Sequence, residues 1–150
     1  MDLLKTINKK ETLKNTRRFL MDDLDNYLML SNDNRSILKS PNIDGQPKAH
    51  NFDSNDSQIL RIIDAKKVVQ SVSSSIQSCS DSSKQPYKTI IVSYFIDGLS
   101  MFQLSDKLGL CDSRTRELKN RALIEFAERF TTAQFFNQVS NPVKLVVYKD

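Results

Sequence analysis

Glycine, proline and tryptophan are all scarce in this sequence. Its 150 residues include three glycines, four prolines and no tryptophan. A many-stranded barrel or sandwich needs a turn signal about every 8 to 12 residues, and this composition supplies too few. A helix-dominated fold is therefore favoured, and 39% hydrophobic with 27% charged residues is typical of a chain with a real core.

Long apolar runs are absent as well. The longest unbroken runs are 27–30 and 145–148, whereas a membrane-spanning helix requires about 20 apolar residues. Charged residues between Lys5 and Arg18 leave no room for the apolar region of a secretory signal. We predict a cytoplasmic protein with no membrane partner.

Groups that commonly support catalysis or bind metals are few. The one histidine is His50, and Cys79 and Cys111 lie far apart without a CxxC pairing. We expect both cysteines to be free thiols of a reducing compartment. No phosphate-binding GxxxxGK[ST] loop and no zinc-type ligand pairing occurs. The sequence therefore predicts no enzyme, no cofactor and no metal site.

Apolar spacing predicts two long helices separated by a linker. Residues Leu13 to Leu28 recur at i, i+3, i+4 and i+7 and predict a helix over 11–30. Ile59 to Ile76 predict a second helix over 58–77, and the serine run from Ser71 to Ser83 predicts fraying toward a turn near 78–83. The predicted all-α organisation is an N-terminal helical segment at 1–31, a Pro/Asn/Asp/Ser-rich linker at 32–57, a helical domain at 58–130 and a tail at 131–150.

Residues 87–130 predict three more helices. Apolar residues from Tyr87 to Phe95 form one helical stripe, which Asp97-Gly98 ends. Ser100 can cap a short helix that contains Phe102, Leu104 and Leu108 and that Gly109 closes. Asp112 or Ser113 can cap a longer helix to about Phe130.

The last two of these helices have the spacing of a helix-turn-helix, at about 100–130. Such a motif needs a small residue in its first helix, a glycine at the turn and apolar inner faces. Ser105 and Gly109 satisfy the first two needs, and Leu110 is expected to plug the turn. The anchors of the second helix are Leu118, Ala122, Leu123 and Phe126. Thr115 stands where an aliphatic residue is more usual.

Basic residues gather at the start of the second helix, opposed by Glu117. Guanidinium groups can pair bidentately with guanine, and cations attract phosphates, so this end fits a major groove of double-stranded DNA. We predict that Ser113, Arg114, Arg116, Glu117 and Asn120 lie near base edges and that Lys107, Lys119 and Arg121 lie nearer phosphates. The stem of Lys119 is expected to run along the packed surface.

Two sets of residues resemble known families. The motifs Asp97-Gly98-Leu99-Ser100, Leu104 to Leu110 and Leu118 to Leu123 are similar to the promoter-reading C-terminal helix-turn-helix of bacterial sigma factors. Residues 40–48, SPNIDGQPK, together with 118–128, LKNRALIEFAE, resemble the ArpU family of phage-encoded transcriptional regulators over about 12–130. The resemblance implies a regulator of late, packaging or lysis genes in prophages, acting in the cytoplasm of a bacterial host cell. Residues 111–116 depart from the family's serine-led, aromatic-containing stretch, so no operator sequence is carried over.

A second class of function stays open. The 58–77 helix can engage a protein, which would make the chain a non-enzymatic RNA polymerase adaptor or a small terminase-like packaging protein. Bacterial RNA polymerase and a second copy of the chain are therefore open partners besides DNA.

The β-prone run from Val143 to Tyr148 has three interpretations: a disordered end, a strand paired with another copy, or a cover over the 11–30 helix. Self-association is slightly favoured, because a homodimer doubles the short site that one module contacts.

Overall fold

The computed structural model describes residues 5–39 and 57–150, and these are mostly helical. The helices are α1 (Lys9–Arg18), α2 (Leu24–Leu30), α3 (Ser57–Ser78), α4 (Tyr87–Ile91), α5 (Met101–Leu108) and α6 (Asp112–Phe136). A π-helical turn at Phe19–Asp23 joins α1 to α2, and another at Val92–Ile96 extends α4. The all-α prediction is confirmed. Segment 40–48 and His50 lie outside the described residues.

The turn between α1 and α2 changes which side chains face the core. Phe19, Leu20 and Leu24 are buried, whereas Met21, expected in the buried stripe, is 49% exposed. A π-helical turn accommodates an extra residue and so rotates the face that follows it. The helix predicted over 11–30 is present, but the membership of Met21 in its apolar stripe is wrong.

Buried serines belong to the packed part of α3. Ser71, Ser73 and Ser75 are buried where α3 packs against α2 and α6. The Ser71 hydroxyl donates to the carbonyl of Lys67 at 2.7 Å, and the Ser75 hydroxyl donates to that of Ser71 at 2.6 Å. These hydroxyls are satisfied within their own helix, so small side chains can pack in the core. The helix ends at Ser78, close to the predicted end.

The longest helix, α6, contacts α1, α3, α4 and α5. Its ring of Phe130 lies 5.0 Å from that of Phe19 and 5.5 Å from that of Phe126, measured between centroids. All three rings are fully buried. They join the N-terminal helix to α6, which continues past the predicted end at Phe130 to Phe136.

The start of the predicted linker belongs to the core. Arg35–Lys39 is a short 3-10 helix, and its Leu38 is fully buried. The Arg35 guanidinium donates to the carbonyls of Leu20 and Phe95, each at 2.8 Å. Residues 35–39 therefore connect α1–α2 with the end of the α4 extension, and 40–56 lie outside the described residues.

The C-terminal tail packs on α1 of the same chain. The amide of Asn8 donates to the carbonyl of Val147 at 2.7 Å, and the Asn15 side chain donates to that of Leu145 at 3.2 Å. Leu145 is 2% exposed. Polar groups of α1 thus satisfy the tail backbone, and the tail lies over α1 as in the third interpretation of 143–148, while pairing with another copy stays a prediction. Within the described residues, the expected strand is reduced to one antiparallel bridge, between Ile7 and Tyr148.

Candidate nucleic-acid interface

Capping residues define the α5–α6 pair. Ser100 accepts from the amide of Gln103 at 3.1 Å, and the Gln103 side chain accepts from the amide of Ser100 at 2.9 Å. This reciprocal pair is a capping box and fixes the start of α5. Gly109 ends α5 with φ 67°, a left-handed conformation that costs glycine little. The chain then enters α6 after a tight turn at 109–111.

The inner side of the pair is apolar, with one hydroxyl. Leu104 and Leu118 are buried, and Ala122, Leu123 and Phe126 continue the buried side of α6. Thr115 is fully buried, and its hydroxyl donates to the carbonyl of Cys111 at 2.9 Å. Because that bond satisfies the hydroxyl, Thr115 can replace the usual aliphatic residue.

Two expectations about this pair, the position of Leu110 and the N-cap of α6, are wrong, while Phe102 lies in α5 as expected. Leu110 is 36% exposed and does not plug the turn, since Leu104 and Leu108 already occupy the inner side. Phe102 is 82% exposed, because it lies two residues, or about 200°, from Leu104 on the helix. The N-cap of α6 is Cys111, not Asp112 or Ser113, because the burial of Thr115 sets the helix register.

Cys111 lies at the exposed tip of the turn. Its sulfur is 3.4 Å from the hydroxyl of Ser113, and this side-chain hydrogen bond lowers the pKa of the Cys111 thiol. Cys79, in contrast, is buried, and that burial raises its pKa to about 12. Both cysteines are free.

The residues predicted near base edges lie on the outer side of α6, where its arginines form ion pairs. Glu117 pairs with Arg114 at 3.0 Å and with Arg121 at 2.8 Å. Arg116 pairs with Asp112 at 2.9 Å, so Glu117 is not the sole opposing carboxylate. Ser113, Arg114, Arg116, Glu117 and Arg121 are exposed, and Asn120 is half-buried.

Two of the residues predicted near phosphates contact the α4 extension. The Lys107 ammonium donates to the Ser93 hydroxyl at 2.8 Å. The Lys119 ammonium lies 4.4 Å from the centroid of the Tyr94 ring, a cation–π contact. Lys119 is half-buried, in agreement with a stem that runs along the packed surface. These two lysines connect α5 and α6 to the α4 extension.

A cation from α1 adds to this region and was missed from the sequence. Burial, followed by the charges of Arg17 and Arg116, lowers the pKa of Lys119. The charge of Arg17 on α1 thus acts on Lys119 of α6. The helical spacing of Lys10, Lys14 and Arg17 could have shown that the three cations share one side of α1. The sequence could not show that the charge of Arg17 acts on Lys119.

Comparison with known proteins identifies no relative of this chain. No protein-family model matches the chain, and neither a curated protein nor a solved structure is significantly similar to it. Among residues 5–39 and 57–150, no cluster of three or more candidate metal ligands occurs. No helix in these ranges is long and apolar enough to cross a membrane.

Proposed function

We propose that this chain is a phage or prophage transcriptional regulator that reads duplex DNA with α5–α6 as a sigma-like helix-turn-helix. The supporting observation is the two-sidedness of the start of α6. Thr115, Leu118 and Ala122 are buried on one side, while Arg114 and Arg116, about 200° apart, are exposed on the two flanks of that side. A helix end held in this way can enter a major groove with its polar side first.

Arg114 and Arg116 are the proposed readers of guanine, with Ser113, Glu117 and Asn120 beside them at base edges. Arg121 lies one turn further along and serves a phosphate. In the free protein these arginines are held by carboxylates of the same helix. Exposed ion pairs contribute only about 0 to 1 kcal/mol, whereas a bidentate arginine–guanine pair discriminates by about 1 to 3 kcal/mol. The exchange of carboxylate for base is therefore favourable at a matched site.

The phage setting rests on the resemblance to the ArpU family in 40–48 and 118–128. It makes late, packaging or lysis genes the proposed targets and the cytoplasm of a bacterial host cell the proposed location. The resemblance to sigma factors in 97–123 supports promoter-like duplex DNA as the ligand.

Selection from a random duplex pool tests the proposal. The full-length protein should enrich a defined sequence, and Arg116→Ala should weaken binding to it by about 1 to 3 kcal/mol and relax one position. Arg129→Ala is the matched control, because Arg129 is paired with Glu125 on the same helix but lies far from its start. Equal affinity for selected and random duplexes would refute sequence-specific reading.

Alkylation of Cys111 gives an independent test. Iodoacetamide should modify exposed Cys111 rapidly and buried Cys79 only after unfolding. Saturating selected duplex should protect Cys111, because the proposal seats the first turn of α6 in the groove. Unchanged alkylation in the presence of bound duplex would contradict that orientation.

An apolar groove favours a second candidate function, protein interaction in transcription or packaging. The groove lies between the end of α6 and the tail, has a volume of about 660 Å³, and is lined by Phe135, Val139 and Tyr148 among others. Phe135 is 79% exposed. The α3 helix, predicted as the partner surface, buries eight of its residues between Ala65 and Ile76 in the core, so we propose the groove as the site for RNA polymerase or a phage assembly protein. Pull-down with and without nuclease, repeated with Phe135→Ser, separates a direct contact from one bridged by DNA.

A homodimer remains a prediction. Sedimentation of the full-length chain at micromolar concentration measures it directly, and a chain truncated after Asn141 tests the tail. Because the tail packs on α1, we expect truncation to lower stability and leave the oligomeric state unchanged.

A further inference from the structure

The backbone of the C-terminal tail is hydrogen-bonded along one edge. Both backbone groups of Val143 bond to the side chain of Gln134, at 2.8 and 2.9 Å. The carbonyls of Leu145 and Val147 accept from groups of α1 and of the residue before it. Every second residue thus faces the helices, which is the alternation of a β-strand paired on one side.

The opposite edge of the tail is unpaired. Within residues 5–39 and 57–150, the amides and carbonyls of Lys144, Val146 and Tyr148 have no hydrogen-bond partner. These residues are two positions apart, the spacing at which one strand bonds to an antiparallel neighbour. We call them the tail edge. A row of unpaired N–H and C=O groups is a template for another strand.

The tail edge borders the apolar groove between the end of α6 and the tail. Lys144, Val146 and Tyr148 all line this groove, together with Phe135 and Val139. The ring of Phe135 is largely exposed and available to an apolar side chain. A strand added at the tail edge would direct every second side chain to one face. The edge supplies hydrogen bonds and the groove supplies side-chain pockets, which are the two parts of a strand-addition site.

Positive charge surrounds the groove. Among the described residues that line it, Lys144 alone is charged. The ammonium of Lys5 lies 5.9 Å from the centroid of the Tyr148 ring, and that of Lys67 donates to the carbonyl of Gln138 at 3.3 Å. Tyr148 and Gln138 both line the groove. A partner segment with carboxylates is therefore complementary to this site.

The same cations disfavour a second copy of the chain as the occupant. Pairing of two tail edges would bring Lys5, Lys67 and Lys144 of both copies together, and like charges repel. The Asp64 carboxylate does not offset them, because it accepts from two backbone amides of the loop before the tail, at 2.6 and 3.3 Å.

We propose that the tail edge binds an extended, acidic peptide of a partner protein as an added β-strand. Apolar side chains of the peptide lie in the groove, and its carboxylates lie near Lys5, Lys67 and Lys144. This inference rests on the second candidate function, protein interaction, and names the chemistry of the partner. Backbone hydrogen bonds supply the affinity, while the groove and its cations supply the preference.

The experiment measures peptide binding to the full-length chain by fluorescence polarisation. The probe is a fluorescein-labelled peptide whose central residues alternate valine and threonine and whose ends each carry two glutamates. We expect it to bind about tenfold more tightly than the same peptide with lysines at its ends. Hydrogen exchange at the amides of Lys144, Val146 and Tyr148, followed by NMR, should slow when the peptide binds.

Val146→Pro tests the hydrogen bonds of the tail edge. It removes an amide that no bond within the tail uses, and proline is tolerated where the amide of an edge residue faces solvent. We expect peptide binding to weaken about tenfold or more. Val146→Thr is the matched control, because it keeps the amide and a branched side chain, and should bind within about threefold of the wild type. Circular dichroism and thermal unfolding verify that both variants fold.

Two N-methylated peptides test the same bonds without changing the protein. Each carries N-methyl groups on alternate residues, so that each loses the amides of one edge. We expect one of them to lose binding and the other to keep it, because the tail edge bonds to a single edge of the peptide. Equal binding of both would overturn the proposal in favour of apolar contact alone.

The remaining outcomes separate the peptide from other occupants. Absence of peptide binding, or equal binding of the acidic and basic peptides, would overturn the proposal. A dimer in sedimentation that Val146→Pro abolishes would make a second copy the occupant, and binding seen only after deletion of 40–56 would make that segment the occupant. Either result would overturn the proposal.

Pull-down on the same variants separates this inference from the second candidate function. Nuclease-resistant capture of RNA polymerase by the wild type and by Val146→Pro alike would overturn the role of the tail edge and keep the function. Absence of capture by the wild type would refute the function itself. Enrichment of a selected duplex tests DNA reading separately, because it involves the other end of α6.

Discussion

The cations of α1 and those at the start of α6 differ in what neutralises them. On α6, carboxylates three or four residues away hold Arg114, Arg116 and Arg121. Lys10, Lys14 and Arg17 on α1 have no such partner among the described residues. A paired arginine is oriented and exchanges its carboxylate favourably only for an acceptor of matching geometry, whereas an unpaired cation attracts any phosphate. The two helices therefore differ in how selectively their exposed cations attract an anion.

Removal of the ring contact between Phe19 and Phe130 should have the largest effect on stability. Phe19→Ala deletes a fully buried ring that contacts Phe130, and we expect it to lower the free energy of unfolding by about 3 to 5 kcal/mol. Urea denaturation measures this change. Phe135→Ala is the control, because Phe135 is 79% exposed and its removal should cost about 0.5 kcal/mol or less. A decrease below about 1 kcal/mol for Phe19→Ala would show that the two helices are held together elsewhere.

Removal of a carboxylate from α6 should make its cations resemble those of α1. Glu117→Gln frees Arg114 and Arg121, so affinity for a mixed-sequence duplex should rise about threefold, while stability falls by about 1 kcal/mol or less. Glu128→Gln is the matched control, since Glu128 is exposed on the same helix and, in the described part of the chain, forms no ion pair. An equal rise for both variants would mean that net charge alone is responsible. Anisotropy at fixed salt measures the difference.

The smallest expected effect is a change in the pKa of the Lys119 side chain. Arg17→Gln removes one of the charges that lower the pKa of Lys119, so this pKa should rise, as a titration of the Lys119 side-chain carbon signals by NMR would detect. Because Lys119 loses its proton more easily in the folded state than in the unfolded state, stability gains as pH rises between the two pKa values. Arg17→Gln should narrow the pH range over which this gain in stability occurs. Arg61→Gln should leave the titration unchanged, and a pKa of Lys119 insensitive to Arg17→Gln would place Arg17 too far away to matter.

Local patterns in the sequence were sufficient to predict the positions of the main helices. The period of Ile59 to Ile76 predicted a helix over 58–77, and α3 spans Ser57–Ser78. The positive φ of Gly109 and the cap at Ser100 also follow from residue type. Each of these features depends on residues within a few positions of one another.

Features set by distant residues could not be predicted in this way. The tail lies on α1 because Thr12 and Asn15 bond to Val147 and Leu145, residues more than 120 positions away. The contact of Lys119 with Tyr94 likewise requires α6 to be packed on the α4 extension. The pairing of Arg116 with Asp112 was available from their i, i+4 spacing, but the capping role expected of Asp112 concealed it.

The π-helical turn at Phe19–Asp23 makes the number of residues between α1 and α2 a structural parameter. Deletion of one residue there would restore a regular helix and turn α1 by about 100° relative to α2. Thr12 and Thr16 would leave the core, and Lys10, Lys14 and Arg17 would face a different neighbour. Single-residue insertions and deletions in this turn, usually treated as alignment noise, would therefore redirect a whole charged surface without altering any side chain on it.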